Sequence, residues 1–387
     1  MAFISGPRQC GKTTLAKGFL SERGVGAYYN WDETTFRRTW VKNPSQIIPE
    51  PNHRPPIIIL DEIHKAKLWK RTLKGLFDTM KTPIDFIVTG SARLNVYKKG
   101  SDSLLGRYYH FRFHPFTLRE IDTTTPLLPD QFVERIFTRS QKISKNKRSQ
   151  LDALMRFGGF PEPLLAADDK VARLWRKGRL EKVIREDLRD LSHLPELSQI
   201  EMLTSLLPER VGSPFSYGSL REDLEVSFPT VKRWVTYLKE LYYLFEIKPY
   251  TKSITRSLKK GGKIYLWDYS EIIDEAARFE NLVACHLLKT CHYWNDKGEG
   301  QFDLFYLRDK EKNEIDFLIT KDRIPWLPIE VKLNETTPSP NWVKFLGQIG
   351  LTKGIQIVNA HGIWECKSIG NFKILISSAS EVLNYFI

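Results

Sequence analysis

GPRQCGKTT, residues 6–14, decides how the N-terminal part of this chain folds. It satisfies G-x-x-x-x-G-K-[ST] through Gly6, Gly11, Lys12 and Thr13, with Pro7, Arg8, Gln9 and Cys10 between the glycines and Thr14 closing the stretch. Glycines let backbone N–H groups curl around phosphates, a lysine neutralises β- and γ-phosphate charge, and a threonine hydroxyl ligates Mg²⁺. The motif follows the apolar run MAFIS and opens the helix-forming run TTLAKGFL, an order that aims a helix N-terminus at an anion. Residues 6–14 are therefore expected to bind ATP, with Thr13 on the Mg²⁺. The leading strand opens at Met1, which is abrupt for a central strand, so further residues upstream of it are expected.

Working outward, IIILDE at 57–62 is a buried-type apolar run ending in two acids. Asp61 at that end can hold Mg²⁺ through water, and Glu62 can orient an attacking water. DFIVTGSAR at 85–93 is a further strand whose Thr89 and Ser91 would put hydroxyls beside the γ-phosphate. Between these runs lie AYYNW and the helix-like LWKRTLKGLFDTM, giving the βαβ rhythm of a parallel sheet covered by helices. Catalytic roles fall to Lys12 and Glu62, and an arginine to neutralise transition-state charge is sought among Arg93, Arg107 and Arg112.

The bulk composition bounds the rest. A chain of 387 residues with 41% hydrophobic side chains is long enough for two to four packed domains. Lys+Arg of 59 against Asp+Glu of 46 gives a net charge of +13, which favours a polyanionic partner such as DNA. Cys10, Cys285, Cys291 and Cys366 form no C-x-x-C pair, so neither a disulfide framework nor a zinc site is indicated and a reducing cytoplasm is expected. No run of eighteen apolar residues occurs, so no membrane partner is expected. The histidines, His286 among them, show no ligand or triad spacing and read as packing or surface residues.

Two further stretches carry chemistry. SYGSLREDLEVSFPTVKRWVTYLKELYYLFEIKPY at 216–250 reads as helix, turn, helix, strand, with Ser227 as a cap and Pro229 in the first turn. Val231, Trp234, Val235, Leu238 and Leu241 recur at helical spacing, leaving Thr230, Lys232 and Arg233 to face a DNA groove, or the element to pack against protein. In PIEVKL at 328–333 the strand period puts Glu330 and Lys332 on one face. Asp316 in the apolar strand EIDFLI could lie beside Glu330. Glu280 is a lone carboxylate among Ala276, Ala277, Val283, Ala284 and Leu287 on a helix face, and it needs a partner. Glu280, Asp316 and Glu330 are thus candidate Mg²⁺ ligands for phosphodiester cleavage, with Lys332 near the attacking water. The bland alternative is a surface ion pair to Lys332 worth under about 1 kcal/mol.

GPRQCGKTT, YYNWDE, IIILDEIHKAKLWKRTLKGLFD, FIVTGSAR, LLGRYYHFRFHPFTLRE and GGFPE together resemble the AAA-type ATPases that carry a DUF4143 C-terminal region. The resemblance implies a P-loop AAA+-like core with Glu62 as the water-activating carboxylate. It also implies that Arg107 in the LxGR element is a finger or sensor, in cis or supplied in trans by a homo-oligomer. The ordered set Glu280, Asp316, Glu330 and Lys332 is similar to the PD-(D/E)XK nuclease-like superfamily. The expected α/β architecture is an AAA+-like ATPase core at 1–122, a helical lid and linker at 123–195, a winged helix-turn-helix at 196–262 and a second α/β, restriction-endonuclease-like domain at 263–387. The function expected of it is ATP hydrolysis coupled to DNA binding, with Mg²⁺-dependent cleavage; the other reading is a nucleotide-switched regulatory ATPase whose nuclease-like domain does not cut.

Overall fold

The computed structural model describes the chain apart from residues 50–52, 91–103, 123–126, 139–144, 189–196 and 252–260. It divides into two compact units, Met1–His114 and Pro115–Ile387.

The first unit is built on strands β1 (Ala2–Ser5), β2 (Gly26–Asn30), β3 (Ile57–Asp61), β4 (Asp85–Gly90) and β5 (Tyr109–Arg112). They form one sheet in the order β2-β3-β4-β1-β5, every pair parallel. The continuous apolar reading of IIIL follows from burial on both faces. Ile57 and Ile59 pack with Ile4, Ile87 and Ala16 on the side of helix α1 (Lys12–Arg23). Ile58 and Leu60 pack with Phe3, Phe86 and Val88 against Phe36 and Trp40 of α2 (Thr34–Lys42) and Trp69, Leu73 and Leu76 of α3 (Trp69–Thr79). Each such fully buried isoleucine contributes roughly 1.5–3 kcal/mol of burial. The central strands can therefore present their polar C-terminal ends as a fixed platform.

In the second unit an eight-stranded sheet runs in the order β12-β13-β11-β10-β9-β8-β6-β7. Its strands are β6 (Leu244–Pro249), β7 (Lys263–Leu266), β8 (Phe302–Arg308), β9 (Glu314–Lys321), β10 (Ile324–Lys332), β11 (Lys353–Val358), β12 (Trp364–Ile369) and β13 (Phe372–Ser378). The helix Glu275–Asp296 packs on β8, β9 and β10, burying Phe279, Leu282, Val283, Leu287 and Trp294. The helix Asn341–Ile349 brings Trp342, Phe345 and Leu346 into a cluster with Leu307, Ile315, Leu318 and Ile376. Helices Tyr217–Asp223 and Phe228–Glu240, followed by β6, give the helix, turn, helix, strand order, and Ser227 caps the second helix by accepting from Thr230 N. GGFPE has a packing explanation: a Cβ on Gly158 would meet Asp268 Oδ1 at 2.7 Å, and one on Gly159 would meet Phe116 O at 2.5 Å.

Candidate functional site

The P-loop is shaped by two glycines with different duties. Gly11 sits at φ 100 in the left-handed region and ends the loop where α1 begins. Gly6 is required by proximity: a Cβ there would stand 2.1 Å from Phe113 O, in the chain just past β5. Gln9, at φ 62, is a non-glycine residue held left-handed, and its buried Oε1 lacks a hydrogen-bond partner among the described residues. Lys12 is buried, with its ammonium donating to Gly6 O (3.0 Å) and Pro7 O (2.6 Å), both uncharged acceptors. Cys10 Sγ donates to the same Pro7 carbonyl at 2.9 Å. No side chain caps the N-terminus of α1.

Next to the loop, Asp61 collects three hydroxyls. Thr13 Oγ1 and Tyr28 OH each donate to Oδ2 at 2.8 Å, and Thr89 Oγ1 donates to Oδ1 at 2.5 Å. The parallel register sets Thr89 of β4 directly beside Asp61, and Tyr28 reaches it from two residues before Asn30, the β2 residue opposite. Tyr28 is pushed up to about 12 by burial first and then by its bond to Asp61, so it stays a donor. Glu62, at φ 57, is another left-handed non-glycine residue, a strain on the order of 1 kcal/mol. Its N–H donates to Thr89 O at 3.1 Å, which ties the end of β3 to β4. Burial raises the Glu62 carboxyl above its ordinary range, against the opposing charge of Lys65. His64 Nε2 lies 3.4 Å and Lys65 Nζ 3.8 Å from Glu62 Oε2, and Lys65 also bonds Asp32 at 2.7 Å.

Arg107 makes a bidentate pair with Asp78 of α3, Nε to Oδ1 at 2.7 Å and Nη2 to Oδ2 at 3.0 Å. Both side chains are about a third exposed, so the pair is a weak tether from which the guanidinium can be drawn. Ser91 and Arg93 lie outside the described residues.

In the second unit Glu280, Asp316 and Glu330 do not assemble as the sequence suggested. At their centre stands Lys263, from the start of β7, with a side chain 2% exposed. Its Nζ lies 3.4 Å from Glu280 Oε1 and 4.0 Å from Asp316 Oδ1, and it pairs closely with Glu314. Tyr265 OH donates to Glu280 Oε1 at 2.7 Å, and Val331 N donates to Asp316 Oδ2 at 2.7 Å. Glu330 instead accepts from Lys332 at 3.0 Å, with Ser339 Oγ at 3.4 Å. The predicted Glu330–Lys332 pairing on one strand face is therefore present, while the predicted three-carboxylate metal site is not. Among the described residues no group of three or more His, Cys, Asp and Glu side chains is arranged to hold a metal ion. Burial, and then the neighbouring Asp316, pushes Glu280 up to about 7; burial also raises Asp316 and Glu330.

On the helix Phe228–Glu240, Lys232 and Arg233 are exposed while Val231, Trp234, Val235 and Leu238 are buried. Thr230 is partly committed to the cap, its hydroxyl 2.8 Å from Ser227 Oγ. Most of the basic stretch that follows, 252–260, lies outside the described residues. No helix among the described residues is long and apolar enough to cross a membrane.

Residues 1–122 match the model of the AAA domain family. The N-terminal part of the chain is an AAA-type P-loop domain. Residues 148–272 and 276–369 match two domains of unknown function, DUF8612 and DUF4143. An uncharacterized protein of Methanocaldococcus jannaschii is 28% identical over 329 residues, covering 78% of this chain and 66% of that one. An uncharacterized Mycobacterium tuberculosis protein is 21% identical, covering 79% of this chain and 67% of its own. The matched region thus spans about two thirds of the length of these relatives. The structure of the Aeropyrum pernix Orc1 protein in complex with DNA has 16% identity and a TM-score of 0.32, covering 73% of this chain and 86% of that one.

The donor set of the AAA domain fits ATP with Mg²⁺. It offers an uncapped helix N-terminus, a lysine resting on neutral carbonyls, an orphaned amide oxygen on Gln9, and a hydroxyl–carboxylate pair in Thr13 and Asp61. The carboxylates around Lys263 do not fit a divalent cation, because an ammonium already stands among them. Sequence reasoning missed Tyr28, Glu314 and Lys263. A tyrosine two residues before the C-terminal end of the strand beside β3, and a lysine heading the apolar run KIYLW, were the available signals.

Proposed function

We propose that this protein hydrolyses ATP at the P-loop of its AAA domain and couples turnover to DNA binding by the second unit. One observation carries the hydrolytic reading: Asp61 receives hydroxyls from Thr13, Tyr28 and Thr89 beside the Lys12 loop, which supports a prearranged carboxylate at the end of β3. ATP, when bound, supplies the scissile phosphoanhydride, and Mg²⁺ would supply the positive charge that offsets its anionic phosphate oxygens. Lys12 exchanges loop carbonyls for phosphate, and the N–H groups at the start of α1, with residues 6–14, hold the anion. Thr13 and Asp61 would hold the metal. Glu62, fixed by its backbone bond to Thr89, orients water. Arg107, released from Asp78, is the candidate to offset transition-state charge, in cis or from a second copy; Ser91 is the further polar candidate.

Lys12→Ala is expected to abolish turnover, and Glu62→Gln to keep ATP binding while losing turnover. Either variant hydrolysing ATP at the wild-type rate would sink the assignment.

DNA binding is supported by the net charge of +13 and by the exposed Lys232 and Arg233 on a helix whose opposite face is buried. The two helices and the strand after them support a winged-helix reading of 196–262. Replacing Lys232 and Arg233 by alanine should weaken duplex binding and lower the salt dependence by about one phosphate contact each. An unchanged salt slope would favour protein packing for this helix. For the second unit, the internally paired carboxylates favour the reading in which a nuclease-like domain holds partners without cutting.

A further inference from the structure

We infer that the ammonium of Lys263 takes the place of a divalent cation in the second unit, as the built-in counter-ion of Glu280, Glu314 and Asp316. This deepens the non-cleaving reading above and rests on it. It is independent of the nucleotide chemistry in the first unit.

The placement is specific. Lys263 is among the largest fully buried side chains, and burying an ammonium is costly unless it is paired and hydrogen-bonded. Three carboxylates from two elements meet that cost: Glu280 from the helix Glu275–Asp296, and Glu314 and Asp316 from the same face of β9. The Tyr306 ring lies 5.5 Å from the same nitrogen. Despite its burial, Lys263 stays firmly charged, because the surrounding carboxylates outweigh desolvation.

Charge balance points the same way. Four carboxylates, Glu280, Glu314, Asp316 and Glu330, meet three cations, Lys263, Lys332 and Arg308, the last bonded to Glu314 at 2.8 Å. One negative charge is left in excess, and burial with the neighbouring Asp316 pushes Glu280 up to about 7, in keeping with that excess. A divalent cation added to this set would leave it over-neutralised. Removing Lys263 would leave two negative charges in excess, which is what one divalent ion balances.

Space argues likewise. Mg²⁺ sheds its waters reluctantly and keeps several in protein sites. Here Gly212, at φ +74, lies so near Glu280 that a Cβ would stand 3.2 Å from both carboxylate oxygens. Tyr265 and the Val331 amide each occupy one carboxylate oxygen.

Mn²⁺ titration of the full-length protein without nucleotide, followed by electron paramagnetic resonance, tests this. Wild type should show no Mn²⁺ site that Asp316→Asn removes. Lys263→Met should gain one, weakened at least about tenfold when Asp316→Asn is added. If Lys263→Met does not fold without metal, its thermal midpoint in Mn²⁺ decides: a rise supports the inference, and no rise overturns it. A wild-type Mn²⁺ site lost in Asp316→Asn, or a folded Lys263→Met without one, also overturns it. ATP turnover of wild type and Asp316→Asn, assayed alongside, reports on the hydrolytic reading separately, since Asp316 lies outside residues 6–14 and 57–62.

Discussion

The two charged sites of this chain solve opposite problems. At the P-loop, Lys12 rests on the neutral carbonyls of Gly6 and Pro7, and Asp61 is held by three neutral hydroxyls. Among the described residues neither charge is cancelled by an ion pair, so each remains available to an incoming ligand of the other sign. In the second unit, Lys263 and its carboxylates cancel one another inside the fold. The first arrangement keeps electrostatic energy for binding; the second spends it on cohesion. Residue types alone do not distinguish them, for both contain a lysine and acids on strand ends.

The contrast can be broken most sharply at Lys12. Both of its acceptors are uncharged, and Pro7 O keeps Cys10 Sγ as a donor, so Lys12→Ala should lower the thermal midpoint of the protein only slightly. Turnover, by contrast, should fall at least about a thousandfold, some 4 kcal/mol of transition-state stabilisation. A variant that loses stability in proportion to activity would show that Lys12 serves the fold, and the contrast would fail.

A smaller effect is expected from pH in the second unit. Glu280 is pushed up from the ordinary glutamate value of 4.5 to about 7, burial being the largest cause. The folded state therefore binds a proton more tightly than the unfolded chain does. Its contribution to stability is present below pH 4.5 and is lost as pH rises through about 7, on the order of 2 kcal/mol. Thermal midpoints measured from pH 5 to 8 should fall in wild type, and Glu280→Gln should flatten that limb. An equally steep limb in Glu280→Gln would place the titrating group elsewhere.

Much of the first unit was legible because its chemistry is local. Six residues of loop and a strand leading into Asp-Glu lie within short segments, and parallel pairing brings β1, β3 and β4 together in one way. The helix pair at 217–240 was equally legible, since its caps and its apolar spacing are written in consecutive residues. The carboxylate cluster was not, because its centre comes from a residue fifty-three positions before Asp316. Lys263 closes the basic run KSITRSLKKGGK at 252–263, whose lysines suggest phosphate contacts; only the pairing of β7 at the edge of the sheet turns it inward. Glu314 was passed over for the same reason, its partner Arg308 being visible only across the β8–β9 register. Gly6 was read as a phosphate-binding glycine, whereas its closest constraint is the carbonyl of Phe113, over a hundred residues away.

Tyr28 offers the finest test of the contrast, because it touches the carboxylate and not the P-loop. Its hydroxyl shares Asp61 Oδ2 with Thr13, so the two donors together fix the rotation of the carboxylate. The ring has a second job, since Lys17 Nζ lies 4.2 Å from its centroid, and phenylalanine preserves that contact. Tyr28→Phe should accordingly keep the fold and ATP binding while turnover falls roughly tenfold, about 1.4 kcal/mol. A positioning role adds a signature that a packing role lacks: more Mg²⁺ should be needed for half-maximal turnover, because an under-restrained Asp61 must be ordered by the metal itself. If turnover drops with an unchanged Mg²⁺ requirement, Tyr28 acts through packing of β2, and Asp61 is held well enough by Thr13 and Thr89 alone.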